Sequence, residues 1–89
     1  MTTIINLTQS TEGIENKVKN WNELPEDVQA TILNTNHVWV HRDSMQFYNE
    51  RKTIIECNYD ELDDEIYFTS AYTKEGKVFQ SDYSFYDLD

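Results

Sequence analysis

The stretch 58-NYDELDDEIYF-68 places five carboxylates among the six residues from Asp60 to Glu65, then runs directly into Ile66, Tyr67 and Phe68. Like charges this close repel one another, whereas an apolar and aromatic run is what a half-buried strand needs. The junction therefore reads as the end of an acidic connection, Asn58 to Asp64, and the start of a strand, Glu65 to Tyr72. On the N-terminal side, Thr53-Ile54-Ile55-Glu56-Cys57 is rich in β-branched residues and reads as a preceding strand. On the C-terminal side, Lys74-Glu75-Gly76 supplies a hairpin turn, with glycine where a positive φ is needed, and Lys77 to Phe85 returns as a third strand. Alternation puts Ile66, Phe68 and Tyr72, with Ser70 among them, on one side of the first arm. Phe79, Tyr83 and Phe85 share a side of the second arm. With those sides buried, Glu65, Tyr67, Asp82 and Tyr86 point outward.

Upstream, 24-LPEDVQATILN-34 carries the clearest helical pattern. Leu24, Val28 and Ile32 recur every four residues as one apolar stripe. Pro25 suits the first helical position, Glu26 and Asp27 suit the positive end of the dipole, and Asn34 suits the C-cap. Asp43-Ser44, with Gln46 three residues after Asp43, reads as a weak capping box for a second helix over 44–52. Val38-Trp39-Val40 reads as a brief extended segment, residues 10–20 as a loop or weak helical turn, and Thr3 to Leu7 as a first strand. The expected fold is a single acidic α+β domain over residues 1–89. It has a three- to four-stranded antiparallel sheet with one or two short helices on one face.

Seventeen Asp and Glu stand against seven Lys and Arg, giving a formal net charge of -10 and a pI near 4.4. A small domain needs a net charge of only roughly 2–8 for solubility. The excess is uneven, because no basic residue occurs between Lys52 and Lys74. Such a surface disfavours direct contact with nucleic-acid phosphates or an anionic membrane and suits a basic partner. Aromatic residues make up 13% of the chain, enough to build a core, although a domain of this size buries only about 60–65% of its unfolded surface. With Cys57 as the only cysteine, no intrachain disulfide forms, which suits a reducing cytoplasm. The N-terminus lacks a basic region and no apolar run approaches the ~20 residues of a membrane span, so a cytoplasmic location is expected.

The acid cluster does not match the spacing of a calcium loop. Starting from Asn58 or Asp60, the alternation of oxygen ligands fails at Leu62, and no glycine lies between Gly13 and Gly76. General acid–base chemistry calls for a carboxyl group tuned in a partly dry pocket, which a solvated acidic run does not supply. His37 and His41 flank Trp39, but HVWVH lacks the glutamate and the helix of a zinc-protease pair. Cys57, in a β-branched run, reads as a small buried hydrophobe. No enzymatic activity, cofactor or metal is expected.

Carboxylates can stand in electrostatically for phosphates. Duplex DNA carries one negative charge per roughly 1.7 Å, so the ~30 Å spanned by a domain of ~12 Å radius of gyration matches about 18 duplex charges. Asp60, Glu61, Asp63, Asp64 and Glu65, joined by Asp82, Asp87 and Asp89 and extended by Glu56, form the expected acidic face. Tyr59, Tyr67 and Tyr86 add rigid aromatic contacts of the kind enriched at interfaces. In size, acidity and aromatic content the whole chain resembles the small phage-encoded DNA-mimic proteins that block restriction or CRISPR nucleases, the anti-restriction nuclease proteins of the Arn type being the nearest group. The resemblance implies an inhibitor that occupies the DNA-binding groove of a host nuclease or other DNA-binding protein, and a homodimer that lengthens the charged face. The same charge pattern suits an immunity protein or antitoxin that neutralises a basic toxin. It also suits an acidic adaptor with no nucleic-acid-related role.

Overall fold

A computed structural model describes residues 8–50 and 52–81. The elements in chain order are β1 (Thr8–Gln9), α1 (Ile14–Lys17), a 3₁₀ turn (Trp21–Glu23), α2 (Glu26–Leu33), β2 (His37–His41), β3 (Ser44–Asn49), β4 (Lys52–Leu62), β5 (Glu65–Thr73) and β6 (Gly76–Gln80). The six strands form one antiparallel sheet in sequence order. The β2–β3, β4–β5 and β5–β6 connections are two-residue hairpin loops, and among the described residues the helices all come from one crossover between β1 and β2, so the sheet is a meander. The α+β class agrees with the sequence reading. The strand count rises from the expected three to four to six among the described residues.

Part of that increase comes from Ser44–Asn49, which the capping box suggested was helical and which is a strand. Met45 and Phe47 are buried while Ser44, Gln46 and Tyr48 are only half-buried, a period of two. On a helix, Met45 and Phe47 would lie about 200° apart and could not share a core-facing stripe. Asp43 belongs to a hairpin loop between His41 and Ser44, which are directly paired. The presumed acidic connection is also strand. β4 runs without a break through Leu62, and the turn shrinks to Asp63 and Asp64 between the paired residues Leu62 and Glu65. Both turn residues have positive φ, 53° and 66°. This is the backbone of a type I′ hairpin, whose twist matches that of the strands. Aspartate tolerates the left-handed region better than most residues, which lets the run of acids turn without glycine.

The core lies between the helical crossover and one face of the sheet. Ile14, Val18, Leu24, Val28 and Ile32 pack against Val38, Val40, Met45, Phe47, Ile55, Cys57, Phe68 and Ala71. Phe47 and Phe68, both fully buried, meet edge to face with ring centres 6.0 Å apart. The α2 stripe is as the sequence implied, with Val28 and Ile32 buried and Asn34 at the C-cap; Pro25 stands one residue before the helix. The first expected strand, Thr3 to Leu7, lies outside the described residues, as does the part of the last arm that contains Tyr83 and Phe85.

Register shifts between Asn58 and Tyr59 and between Ala71 and Tyr72 change which residues share a face. Phe68 and Ala71 both face the core, and Tyr72 and Ser70 lie on the opposite side from Ile66 and Phe68, contrary to simple alternation. A bulge inserts one unpaired residue, and the faces exchange beyond it.

Beyond Gln80, no further strand among the described residues pairs with the outer side of β5. Ser81 N–H donates to Thr69 O, and from there the edge is taken over by the chain just after α1. Val18 forms a parallel bridge with Ile66, Lys19 N–H donates to Ile66 O at 2.6 Å, and the buried Asn20 side chain serves Phe68. Asn20 Nδ2 donates to Phe68 O at 2.8 Å, while Phe68 N–H donates to Asn20 Oδ1 at 3.0 Å. A carboxamide thus substitutes for a neighbouring strand's peptide group.

Two stability predictions follow from these contacts. Asn20→Ala strands both polar groups of Phe68, so urea denaturation should show a loss of about 2 kcal/mol or more; an unchanged midpoint would mean that the pair is replaced by solvent. Asp63→Asn/Asp64→Gly relieves the left-handed backbone and should raise stability by about 1 kcal/mol over Asp63→Asn/Asp64→Asn, which removes the same charges without the glycine.

Candidate functional site

Because β3 pairs with β4 only as far as Asn58, the β4–β5 hairpin outruns the rest of the sheet. Tyr59 N–H still donates to Asp43 O at 2.8 Å. Past that bond, Asp60, Glu61 and Leu62 are paired with β5 alone, a projection of about 10 Å at the rise of an extended chain. Glu61, Asp63, Asp64 and Glu65 are exposed and Asp60 is half-buried. Register places Asp60 opposite Tyr67 and Glu61 opposite Ile66, on alternate faces, with Asp63 and Asp64 at the tip. The five acids therefore wrap the end of one prong.

Asp43 joins them, and the sequence reading had missed it. The Arg42–Asp43 loop sits at the same end of the sheet, and its charge reaches Tyr59. The signal was available only once β3 was known to be a strand, since a helical cap would have placed Asp43 elsewhere. Among the described residues the one ion pair is Lys19 to Asp63, 3.9 Å apart and exposed on both sides. A pair of that kind contributes about 0–1 kcal/mol, so ion pairing among the described residues offsets little of the prong's charge.

Tyr59 anchors the base of the prong. Its side chain shares the core with Phe68, and its hydroxyl donates to Arg42 O at 2.7 Å. Burial, and then the charges of Glu61 and Asp43, push the phenol above its ordinary value. Tyr67, expected to point outward, is instead buried at 6% exposure. Its hydroxyl lies 2.9 Å from Ser81 Oγ and donates to Glu23 Oε1 at 3.4 Å, closing the sheet where β6 ends. It is a packing residue. Glu56 lies elsewhere, half-buried in the middle of the sheet face opposite the helices and four residues along β4 from Asp60. Asp82, Tyr86, Asp87 and Asp89 fall outside the described residues.

The remaining candidate chemistry is accounted for by packing. Cys57 is fully buried, and burial, followed by the charge of Glu56, drives its thiol far above the normal range. His37 and His41 are half-buried on the open face. His37 stacks on Tyr48 at 5.4 Å, and His41 stacks on Trp39 at 5.9 Å. Among the described residues no three His, Cys, Asp or Glu side chains are arranged to hold a metal ion. Concave surface occurs at the end away from the prong, in open grooves around Ile54 that reach Leu33 on α2 and Tyr72 on β5. No helix among the described residues is long and apolar enough to cross a membrane.

The tyrosine geometry gives a pH prediction. Since the folded-state pKa of Tyr59 is raised, the native state holds the phenolic proton longer than the unfolded chain does. This contribution to stability is fully present below the ordinary tyrosine value of about 10 and is lost as pH rises through and above it. Alkaline titration followed by tyrosinate absorbance, with Tyr59→Phe as the difference reference, should show a late-titrating phenol. Glu61→Gln should move that phenol toward the ordinary value.

No protein-family model matches the chain, and neither the curated proteins nor the solved structures provided a match.

Proposed function

We propose that the chain is a DNA-mimic inhibitor. Its acidic β4–β5 prong enters the basic DNA-binding surface of a nuclease or another DNA-binding protein. The observation that carries this reading is the projection of five carboxylates beyond the sheet, among which the one ion pair seen in the described residues is the exposed contact of Asp63 with Lys19. A stretch of duplex as long as the prong with its turn, about 13 Å, holds about eight phosphate charges. The prong supplies five and the neighbouring Asp43 a sixth, so the charge density is of the same order. The hairpin backbone fixes these carboxylates relative to one another, which lowers the ordering cost of binding. Complementary charge accelerates encounter with a basic surface and makes it sensitive to salt. The chain acts by occupation in this reading, without chemistry of its own, and binds neither nucleic acid nor membrane directly.

Capture from a bacterial lysate tests the proposal, using immobilised protein beside a variant carrying Asp60→Asn, Glu61→Gln, Asp63→Asn, Asp64→Asn and Glu65→Gln. Nucleases or other DNA-binding proteins should bind the natural chain, leave it in high salt or excess duplex DNA, and ignore the variant. Capture of a neutral or acidic protein that persists through high salt and on the variant would sink the reading. Recovery of a single basic toxin indifferent to duplex DNA would replace it with an immunity role.

A further inference from the structure

We propose that the sheet face opposite the helices docks arginine side chains of a basic partner, with Glu56 as the ionic anchor and Trp39 and Tyr72 as stacking surfaces. The inference rests on the reading that the partner is basic, and adds which side chain is recognised and where on the molecule.

The residues of this face are brought into line by strand register alone. Trp39 pairs with Gln46, Gln46 with Glu56, Glu56 with Tyr72, and Tyr72 with Lys77, so one row crosses five strands on one side of the sheet. No described element packs over it, since the crossover helices bury their apolar residues against the other face. Glu56 stands in the middle of this row, half-buried, with Gln46 and Tyr72 as its cross-strand neighbours. Its nearest polar contact is a long one, from Gln46 Nε2 at 3.4 Å. The row's own cation does not serve it: Lys77 Nζ donates to Gln80 Oε1 at 2.6 Å. Among the described residues the ion pair of the molecule lies at the prong. Lys74 lines the same hollow as Glu56 and Tyr72, yet among the described residues no cation forms an ion pair with this half-buried carboxylate.

Its surroundings favour one cation over another. Neighbouring strands are about 4.8 Å apart, which sets Tyr72 about 5 Å and Trp39 about 10 Å from Glu56 on opposite sides. A guanidinium seated on the carboxylate can accept both geometries, pairing in its plane while presenting a face to an aromatic ring. A lysine ammonium satisfies the charge but has no plane to stack. The rings are already held. Trp39 lies nearly parallel to His41, 8° between planes, and Tyr48 is stacked on His37. Charge also connects this face to the prong, because Asp60 and Glu65 lie on the same side by register. A basic surface that meets the prong therefore has a negative path leading onto the row.

The probes are hexa-arginine and hexa-lysine peptides, titrated into the full chain while the Trp39 indole N–H is followed by NMR; Trp21→Phe assigns the two indole signals. Hexa-arginine should shift the Trp39 signal saturably and bind about 5-fold more tightly than hexa-lysine, the gain expected of a stacked cation. Glu56→Gln should weaken hexa-arginine about 10-fold with the backbone spectrum preserved, in keeping with the loss of a charge-assisted pair. Trp39→Leu and Tyr72→Leu should erase the arginine preference while leaving hexa-lysine affinity nearly unchanged. Equal affinity for the two peptides, or a Glu56→Gln chain that binds like the natural one, overturns the proposal. Asp63→Asn/Asp64→Asn separates it from the prong reading. An arginine preference that survives this change supports the face independently of the prong, whereas one that vanishes with it assigns the preference to the prong and overturns the face.

Discussion

Asn20 and Phe68 exchange two hydrogen bonds, and the arrangement of the molecule depends on that exchange. β5 is nine residues long, while among the described residues β6 pairs with it only from Ser70 to Thr73, and the half of β5 nearest the prong takes other partners on its outer edge. The side chain of one asparagine and the backbone of Val18 and Lys19 close it. An unpaired peptide group beside the fully buried Phe68 ring would be expensive, and pairing it fixes the crossover in both height and angle over the sheet. The crossover then delivers Ile14, Val18 and Leu24 to the core. Without that seal, the outer half of the β4–β5 ladder would be a two-stranded ribbon, which is marginally stable in water.

The same ladder explains how the fold tolerates its own charge. Repulsion among carboxylates is smallest where they face water and can spread apart, and a prong offers both. Asp60 and Glu61 alternate across the ribbon, and Asp63 and Asp64 occupy left-handed turn positions where both are exposed to water. Tyr59 pins the base of the ribbon through its ring in the core and its hydroxyl on Arg42 O. Apolar burial at the base of the ribbon therefore offsets electrostatic strain at its end. In the proposed function that strain is relieved on meeting a basic surface.

Much of this was legible in the residues, and the failures have identifiable causes. α2 was clear because Val28 and Ile32 repeat at the helical period between a proline and an asparagine. The β5–β6 turn was clear because Gly76 marks a positive φ, observed at 133°. β3 was misread because Asp43 and Gln46 mimic a helix cap, and local capping lost to the period-two burial of Met45 and Phe47. The acids were visible as charge but not as position. Five acids in six residues suggest a wet loop, whereas only every second strand residue must be apolar and aspartate can make the turn. The bulges in β4 and β5 leave no sequence mark that simple alternation detects, so Tyr72 was assigned to the wrong side. Asn20 in a polar run gives no hint that its amide will act as a strand.

Cys57 has a practical consequence. The only sulfhydryl in the chain is sealed between Met45 and Ala71 in the core row, and its thiolate form is strongly disfavoured. Thiol reagents, which act through the thiolate, therefore find the folded protein silent. A second cysteine placed anywhere on the surface becomes the one addressable handle. The prong can carry a fluorophore, a spin label or a crosslinker without removing any native residue of the core, and the molecule is its own blank background for watching what it meets.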